Sequence, residues 1–223
     1  MHQDIPKQFL TVNEKPVIIY TLEAFEKHPE IDVIAVVCIN GWDQVLLAYA
    51  KQFNINKLKH VVPGGAQGQD SLRNGVFELE KHYDSDDLVV IHDAIRPMVS
   101  PEIISDNIRV AKQNGNAITV IQCAEAMLET KDGLQSNSSY PRNELKRTQT
   151  PQAFHLGDIC MLHRKALKAG ITNSIASCTM AVELGQKVFF SLGSEKNIKL
   201  TTLEDIEIFK ALLEAKKMSW LKS

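Results

Sequence analysis

Short apolar runs that alternate with helical patterns are the strongest constraint on the fold of this chain. The run Asp32–Ile39 is almost continuously apolar, and Leu88–Ile91 repeats the pattern further along. Such runs are typical of strands that are buried on both faces of a parallel sheet. Segments with helical spacing follow these runs at short intervals. This order predicts an α/β protein with a mostly parallel sheet that is flanked by helices.

The other predicted elements continue this alternation of strands and helices. Further strands are predicted at 60–62, 117–121 and 187–190, and helices at 16–28, 42–53, 70–79, 101–112, 156–169, 177–184 and from about 202. Asp70-Ser71 offers an N-cap for the third helix, and Thr202 with Asp205 has the spacing of a capping box for the last one. Residues 125–147, called the arm below, are polar and lack this periodicity. They predict a projecting hairpin on a single domain that spans 1–223.

Charge and composition exclude several classes of protein. The chain has 25 Lys+Arg and 27 Asp+Glu, a formal net charge of −2, which disfavours a general binder of nucleic acid or of an anionic membrane. A small anionic substrate needs only a local basic cluster. No apolar run approaches the ~20 residues of a membrane span, and the start has no signal-peptide pattern, so we expect a cytoplasmic protein. Four scattered cysteines without zinc-site spacing are expected as buried thiols, namely Cys38, Cys123, Cys160 and Cys178.

Three polar clusters fall where ligands of an α/β sheet bind, beyond the carboxyl ends of strands. The first is the glycine-containing loop 63–71, for which a plain strand-to-helix turn is an equal alternative. The second is 92–97, where Asp93 and Arg96 can hold a metal ion and a phosphate, or form a local ion pair. The third is dispersed and includes Lys7, Arg142, Arg147 and Lys199, for which solvated surface charges are the alternative. Lys7 follows a proline and precedes an apolar pair, and Lys199 lies in a short polar segment between a strand and a helix. Fixed cations around an anionic centre are what phosphoryl and nucleotidyl transfer require.

Taken together, five motifs resemble one enzyme family over essentially the whole chain. They are Pro6-Lys7-Gln8-Phe9-Leu10, Gly64-Gly65 with Asp70-Ser71, His92-Asp93-Ala94-Ile95-Arg96-Pro97, Gln149-Thr150-Pro151-Gln152-Ala153-Phe154 and Asn197-Ile198-Lys199-Leu200-Thr201. In this order they are similar to the 2-C-methyl-D-erythritol 4-phosphate cytidylyltransferases and their relatives, the ribitol-5-phosphate cytidylyltransferases. The resemblance implies a Rossmann-like, nucleotidyltransferase A-like fold. It also implies a reaction in which CTP and an alditol phosphate give a CDP-alditol and pyrophosphate, with Mg²⁺.

The resemblance also implies a role for each matching residue. Lys7 and Lys199 would be catalytic, and Asp93 would help to hold Mg²⁺. The alditol phosphate would be bound by Arg96, Arg142 and Thr150, and the nucleotide by Gly64, Gly65, Ser71 and Ala94. Arg142 would reach the neighbouring subunit's site, because members of this family are typically homodimers joined by the arm. No nucleic-acid or membrane partner is implied.

Departures from the family pattern leave the acceptor open. The family's acidic residue and arginine after the double glycine are replaced by Ala66 and Gly68. On the alditol side, Glu125–Leu128 and Ile175–Ser177 replace two family motifs. Methylerythritol phosphate fits the core motifs best, in keeping with a role in isoprenoid biosynthesis, and ribitol 5-phosphate or another surface-polymer precursor is the alternative.

A further departure concerns the start of the chain. Met1 aligns with a methionine that follows the family's first strand and glycine-rich loop, so we expect these two elements to be missing. An internal methionine of a longer product, a truncation and a degenerate relative are the three explanations, and we favour the first two. A non-catalytic nucleotide-binding or dimerisation module therefore stays an alternative of another class. A nicotinamide-dependent oxidoreductase is disfavoured, because the chain lacks G-x-G-x-x-G after its first strand.

Overall fold

The computed structural model describes residues 5–220, so the expectation about Met1 lies outside the described residues. The helices are α1 (Val17–Glu26), α2 (Asp43–Gln52), α3 (Gly68–Leu79), α4 (Pro101–Asn114), α5 (Leu156–Lys168), α6 (Ser177–Glu183) and α7 (Leu203–Trp220). The strands are β1 (Thr11–Val12), β2 (Lys15–Pro16), β3 (Ile34–Cys38), β4 (Leu58–Pro63), β5 (Leu88–Ile91), β6 (Asn116–Gln122), β7 (Met127–Glu129), β8 (Ser138–Tyr140), β9 (Lys146–His155) and β10 (Phe190–Leu192). Within this range, no helix combines the length and the hydrophobicity that crossing a bilayer requires.

The central sheet is mixed. Its strands lie in the order β10-β6-β9-β5, and β3 and β4 form a separate parallel pair. β10 runs parallel to β6, whereas β9 is antiparallel to both of its neighbours, β6 and β5. The predicted α/β class is therefore confirmed, but the sheet is less uniformly parallel than the apolar runs suggested. Since β5 and β6 both oppose β9, they share one direction, and the loops after them lie at the same edge.

Apolar side chains form a core on both sides of the sheets. One cluster joins α1, β3, α2 and α4, and Leu88, Val90 and Ala94 pack against it, so it connects the two sheets. A second cluster joins β6 and the end of β9 to α5 and α6, and Val76 of α3 belongs to it. All four cysteines are buried free thiols, as the sequence predicted. This core fixes the positions from which the loops project.

Two of the differences between the predicted and the observed element boundaries have a clear structural cause. The final strand is Phe190–Leu192, not 187–190, because the Asn116 side chain binds the Lys187 carbonyl and the Phe189 N–H in place of a regular ladder. The third helix begins at Gly68, so Asp70 and Ser71 lie inside it and are not its N-cap. Asp70 instead forms an ion pair with Arg73 at 2.8 Å.

Other local predictions are confirmed. Asp205 accepts from the Thr202 N–H at 2.7 Å, and Thr202 Oγ1 accepts from the Asp205 N–H at 3.2 Å, which is the capping box expected before α7. In the arm, β7 and β8 pair as an antiparallel hairpin. Arg142–Glu144 forms a short 3-10 helix between this hairpin and β9. The arm therefore leaves the sheet where β6 ends, at Gln122, and returns to it where β9 begins, at Lys146.

Candidate active site

The loop after β5 carries the carboxylate of Asp93 and is itself closed by local hydrogen bonds. The Arg96 N–H donates to the Asp93 carbonyl at 3.0 Å and closes the turn. The ring of His92 donates from Nε2 to the Arg96 carbonyl at 3.1 Å, since a carbonyl can only accept. Burial lowers the pKa of His92 to about 4, so this imidazole is neutral near pH 7. The turn is thus held by a neutral, partly buried histidine.

Two cations face the Asp93 carboxylate. Arg96 Nε lies 3.0 Å from Oδ2, and Lys199 Nζ lies 3.3 Å from the same oxygen. Burial pushes the pKa of Asp93 upward, but the charges of Lys199 and Arg96 outweigh it and leave the pKa below its usual range. Arg96 is only 11% exposed, whereas Lys199 is 44% exposed. Asp93 is therefore ionised, and Lys199 is the cation that faces solvent.

Backbone contacts bring the distant Lys199 segment to this loop. The Leu200 N–H donates to the Ile95 carbonyl at 2.9 Å, and Arg96 Nη1 donates to the Asn197 carbonyl at 2.8 Å. Lys7 also reaches this segment, because its Nζ donates to the Thr201 carbonyl at 3.5 Å. The two lysines predicted as catalytic therefore lie at the same short segment, although Lys7 is near the start of the chain and Lys199 near its end.

Strand β9 supplies the next side of the site. The Asp93 N–H donates to the hydroxyl of Thr150 at 3.1 Å, which leaves the hydroxyl hydrogen for another acceptor. Fully buried Asn197 donates from Nδ2 to the Thr150 carbonyl at 2.8 Å and to Gln149 Oε1 at 3.3 Å. The sequence motifs contained Asn197 and Gln149, but nothing in them marked these amides as the link between the two segments.

The glycine loop after β4 is built by close backbone approach. The Gly64 N–H donates to the Cys38 carbonyl at 2.8 Å, and the Gly65 N–H donates to Ser71 Oγ at 3.0 Å. Ser71 in turn donates to the Gln67 carbonyl at 3.1 Å. A Cβ on Gly65 would lie 2.3 Å from the Cβ of Asp70, so only glycine fits there. The loop therefore packs directly against the first turn of α3.

Within residues 5–220, two residues that the sequence predicted for the site make no side-chain hydrogen bond or ion pair with the ion-paired group of Asp93, Arg96 and Lys199. Ala94 accepts a hydrogen bond at its carbonyl from Thr21 Oγ1 at 2.8 Å, which ties the loop to α1. Arg142 donates to the Ala124 carbonyl at 3.1 Å at the base of the arm. Among the described residues, no hydrogen bond or ion pair joins Arg142 to Asp93, Arg96 or Lys199.

The α/β fold holds Arg96 and Lys199 against one ionised carboxylate, brings Lys7 to the Lys199 segment, and carries a glycine loop at the start of a helix. These are features of a nucleotidyltransferase. The sequence profile described as "IspD: 2-C-methyl-D-erythritol 4-phosphate cytidylyltransferase" matches residues 1–215. The chain belongs to this family and is a cytidylyltransferase.

Individual relatives agree with this assignment. The chain is 42% identical, over 98% of its length and 94% of the relative's, to the ribitol-5-phosphate cytidylyltransferase of Lacticaseibacillus paracasei. It is 35% identical, over 96% of its length and 92% of the relative's, to the 2-C-methyl-D-erythritol 4-phosphate cytidylyltransferase of Clostridium botulinum. The crystal structure of the latter enzyme from Francisella tularensis superposes with a TM-score of 0.77 at 27% identity, covering 92% of each chain.

Proposed function

We propose that this cytidylyltransferase transfers the cytidylyl group of CTP to ribitol 5-phosphate. The observation that carries the acceptor is the 42% identity to a relative that bears that name. The altered segments Glu125–Leu128 and Ile175–Ser177 support the proposal, because the resemblance assigns the acceptor side of the site to them. The second candidate acceptor is 2-C-methyl-D-erythritol 4-phosphate, which the family description and the Clostridium botulinum relative favour.

In the proposed reaction, a phosphate oxygen of the acceptor attacks the α-phosphorus of CTP. A new P–O bond forms to the acceptor, the bond between the α-phosphorus and the oxygen that bridges to the β-phosphorus breaks, and pyrophosphate leaves. Negative charge spreads over the non-bridging oxygens during this exchange, so positioned cations supply most of the catalysis. No proton has to be removed from the nucleophile, because the acceptor phosphate is already ionised.

The exposed lysines fit the role of charge stabilisers. Lys199 projects from Asp93 toward solvent, and Lys7 lies at the same segment through its contact with Thr201. Thr150 can donate its hydroxyl hydrogen to a phosphate oxygen while it accepts from the Asp93 N–H. Arg96 is largely occupied by Asp93 and the Asn197 carbonyl, so it holds the site together and offers its remaining Nη2 to the acceptor phosphate.

We propose that the nucleotide binds at the glycine loop. The tight packing of Gly65 against Asp70 fixes the backbone of the loop against α3, and carbonyl groups of this loop can then read a pyrimidine edge. Ser71 closes the loop from inside α3. The start of α3 also offers free backbone N–H groups to an anion.

We also propose Mg²⁺ as the cofactor, held by Asp93 together with substrate phosphates. The donor set fits, since protein sites for Mg²⁺ commonly use one carboxylate with phosphate oxygens and water, and the pKa of Asp93 is below its usual range. When bound, the ion would neutralise phosphate charge. Lys199 and Arg96 share this carboxylate and would keep it oriented.

A homodimer joined by the arm is part of the proposal. The arm exposes large apolar side chains, with Leu128 65% and Leu134 90% exposed, which a partner's surface would cover. Arg142 lies at the base of this arm and would then reach the second subunit's site. The buried free thiols are consistent with the cytoplasm as the compartment.

The experiment compares the two acceptors directly. Purified protein is incubated with CTP, Mg²⁺ and either alditol phosphate, and pyrophosphate release is followed with mass-spectrometric detection of the CDP-alditol. We expect kcat/KM for ribitol 5-phosphate to exceed that for methylerythritol phosphate by at least tenfold. The reverse order would assign the second candidate, and turnover of neither acceptor would overturn the proposal.

A further inference from the structure

A group of three potential metal ligands lies outside the site described above. His60 of β4, Glu78 of α3 and His82 of the turn after α3 each present one ligand atom, and these atoms all lie within 4.8 Å of one another. Glu78 and His82 are one helical turn apart, which puts their side chains on the same face. His60 joins them from the neighbouring strand.

The local contacts orient these side chains toward a common point. His82 Nε2 lies 3.1 Å from Glu78 Oε1, and Lys81 holds the other carboxylate oxygen at 2.6 Å. The imidazole rings of His60 and His82 are 4.8 Å apart between centroids. His60 Nε2 is hydrogen-bonded to the Tyr83 hydroxyl at 2.8 Å, so a ring held in this way can present its Nδ1 to a cation.

The geometry points to a new site for a divalent transition metal of the zinc class, and we propose that it ties β4 to the end of α3. Zinc bonds of 2.0–2.2 Å in a tetrahedron separate ligand atoms by about 3.4 Å, so no pair of ligand atoms has to close by more than roughly 1.4 Å. His82 has an exposed side chain that can rotate by that amount. Two imidazoles with one carboxylate select zinc-like ions over Mg²⁺, and water would complete the coordination.

The position of the group gives the metal a structural consequence. β4 ends at Pro63 and α3 begins at Gly68, so the segment between them is the glycine loop. His60 precedes this loop, and Glu78 and His82 follow it. A metal at these three residues would link the strand before the glycine loop to the end of the helix after it. This inference is independent of the proposed acceptor and of the proposed Mg²⁺.

The test is Zn²⁺ binding to the full chain, freed of any histidine tag, by calorimetry and thermal unfolding. We expect one Zn²⁺ per chain and, at Zn²⁺ about 100-fold above Kd, a rise in Tm of roughly 5–10 °C. His82→Asn, Glu78→Gln and His60→Asn should each weaken binding at least tenfold. His155→Asn is the matched control, since it removes a histidine that does not belong to the group.

Two results would overturn the proposal. If His155→Asn and His82→Asn bind Zn²⁺ like the unchanged chain, the ion only adsorbs to the surface. If His60→Asn retains full affinity, the helix pair binds alone and no tie to β4 exists. A readout on the unchanged chain avoids any folding defect of the variants: zinc K-edge absorption should count two imidazole ligands, and a first shell of oxygen alone would contradict the site.

Discussion

Lys199 Nζ lies 3.3 Å from Oδ2 of Asp93, although 106 positions separate the two residues in the chain. The contact is made possible by Asn197 and Leu200, whose backbones bind Arg96 and Ile95 on the Asp93 loop. One carboxylate therefore orients the lysine and leaves it open to solvent. We therefore expect a mutation of Lys199 to affect activity through the loss of its charge and not through a loss of packing.

Lys199→Ala should lower kcat/KM by about 10²–10³-fold while the fold stays intact, because a fixed charge at the reacting phosphate is lost. The measurement is pyrophosphate release at saturating Mg²⁺. Lys196→Ala is the matched control, since Lys196 is an exposed lysine of the same segment. Equal rates for the two variants would show that the reacting phosphate lies elsewhere.

Lys7→Ala should produce a loss of the same order, because Lys7 approaches the same segment through the Thr201 carbonyl. Lys27→Ala, which removes a lysine that is 77% exposed on α1's end, should leave kcat/KM unchanged. Steady-state kinetics with varied CTP check this prediction. A Lys7→Ala enzyme with a normal rate would remove this residue from the catalytic set.

Asn197→Ala should destabilise the protein by about 1–3 kcal/mol, because the Gln149 side chain and the Thr150 carbonyl lose a buried donor. Activity should fall as well, since the segment that carries Lys199 loses its anchor. Urea unfolding and kinetics measure the two effects. Asn137→Ala in the exposed arm is the control. Lost activity with unchanged stability would mean that Asn197 contacts substrate directly.

The positions of the motifs around Asp93 and Lys199 could be predicted from the sequence, because each motif is contiguous and lies next to an apolar run. Strand β9 could not be predicted in this way, because its buried positions include Gln149 and Gln152. Gln152 is satisfied by the Gln149 carbonyl and the Cys178 N–H, contacts that a periodicity argument cannot supply. A strand with buried amides and a proline lacks the apolar alternation by which strands are recognised.

The start of α3 was mispredicted for a related reason. Asp70 is a good N-cap type, but its carboxylate pairs with Arg73, and Gly68 and Gln69 continue the helix upstream. Only the folded loop shows that Gly65 packs on Asp70, which fixes the helix start two residues earlier. Side-chain preference alone cannot decide between such neighbouring starts.

Two histidines with lowered pKa values, His92 and His163, predict a pH dependence of stability. Burial lowers the pKa of both His92 and His163 to about 4, and neither ring nitrogen of His163 has a partner among the described residues. Between pH 6.5 and 4 the unfolded chain binds these protons and the folded chain does not, so the free energy of unfolding should fall as the pH falls. Each histidine contributes about 2–3 kcal/mol between pH 7 and 4.5.

His163→Leu should remove about half of the decrease in the free energy of unfolding that the two histidines cause between pH 7 and pH 4.5. Urea unfolding at these two pH values measures this decrease. His163 is chosen because it lies among the apolar side chains around α5, away from the Asp93 loop. His155→Gln is the control, since it removes a histidine other than these two. Parallel pH profiles for the unchanged chain and His163→Leu would contradict the neutral buried state of His163.

Gly65→Ala tests the nucleotide loop. The added Cβ would lie 2.3 Å from Asp70 Cβ and 2.9 Å from the Ser71 backbone nitrogen, so the loop must move away from α3. We expect the KM for CTP to rise about tenfold, which corresponds to ~1.4 kcal/mol of lost binding, with a smaller effect on the acceptor. Gly68→Ala, where an added Cβ meets nothing within 4 Å, should bind CTP normally. Equal KM values for the two variants would place the cytosine outside this loop, because the first substitution displaces the loop and the second leaves it where it is.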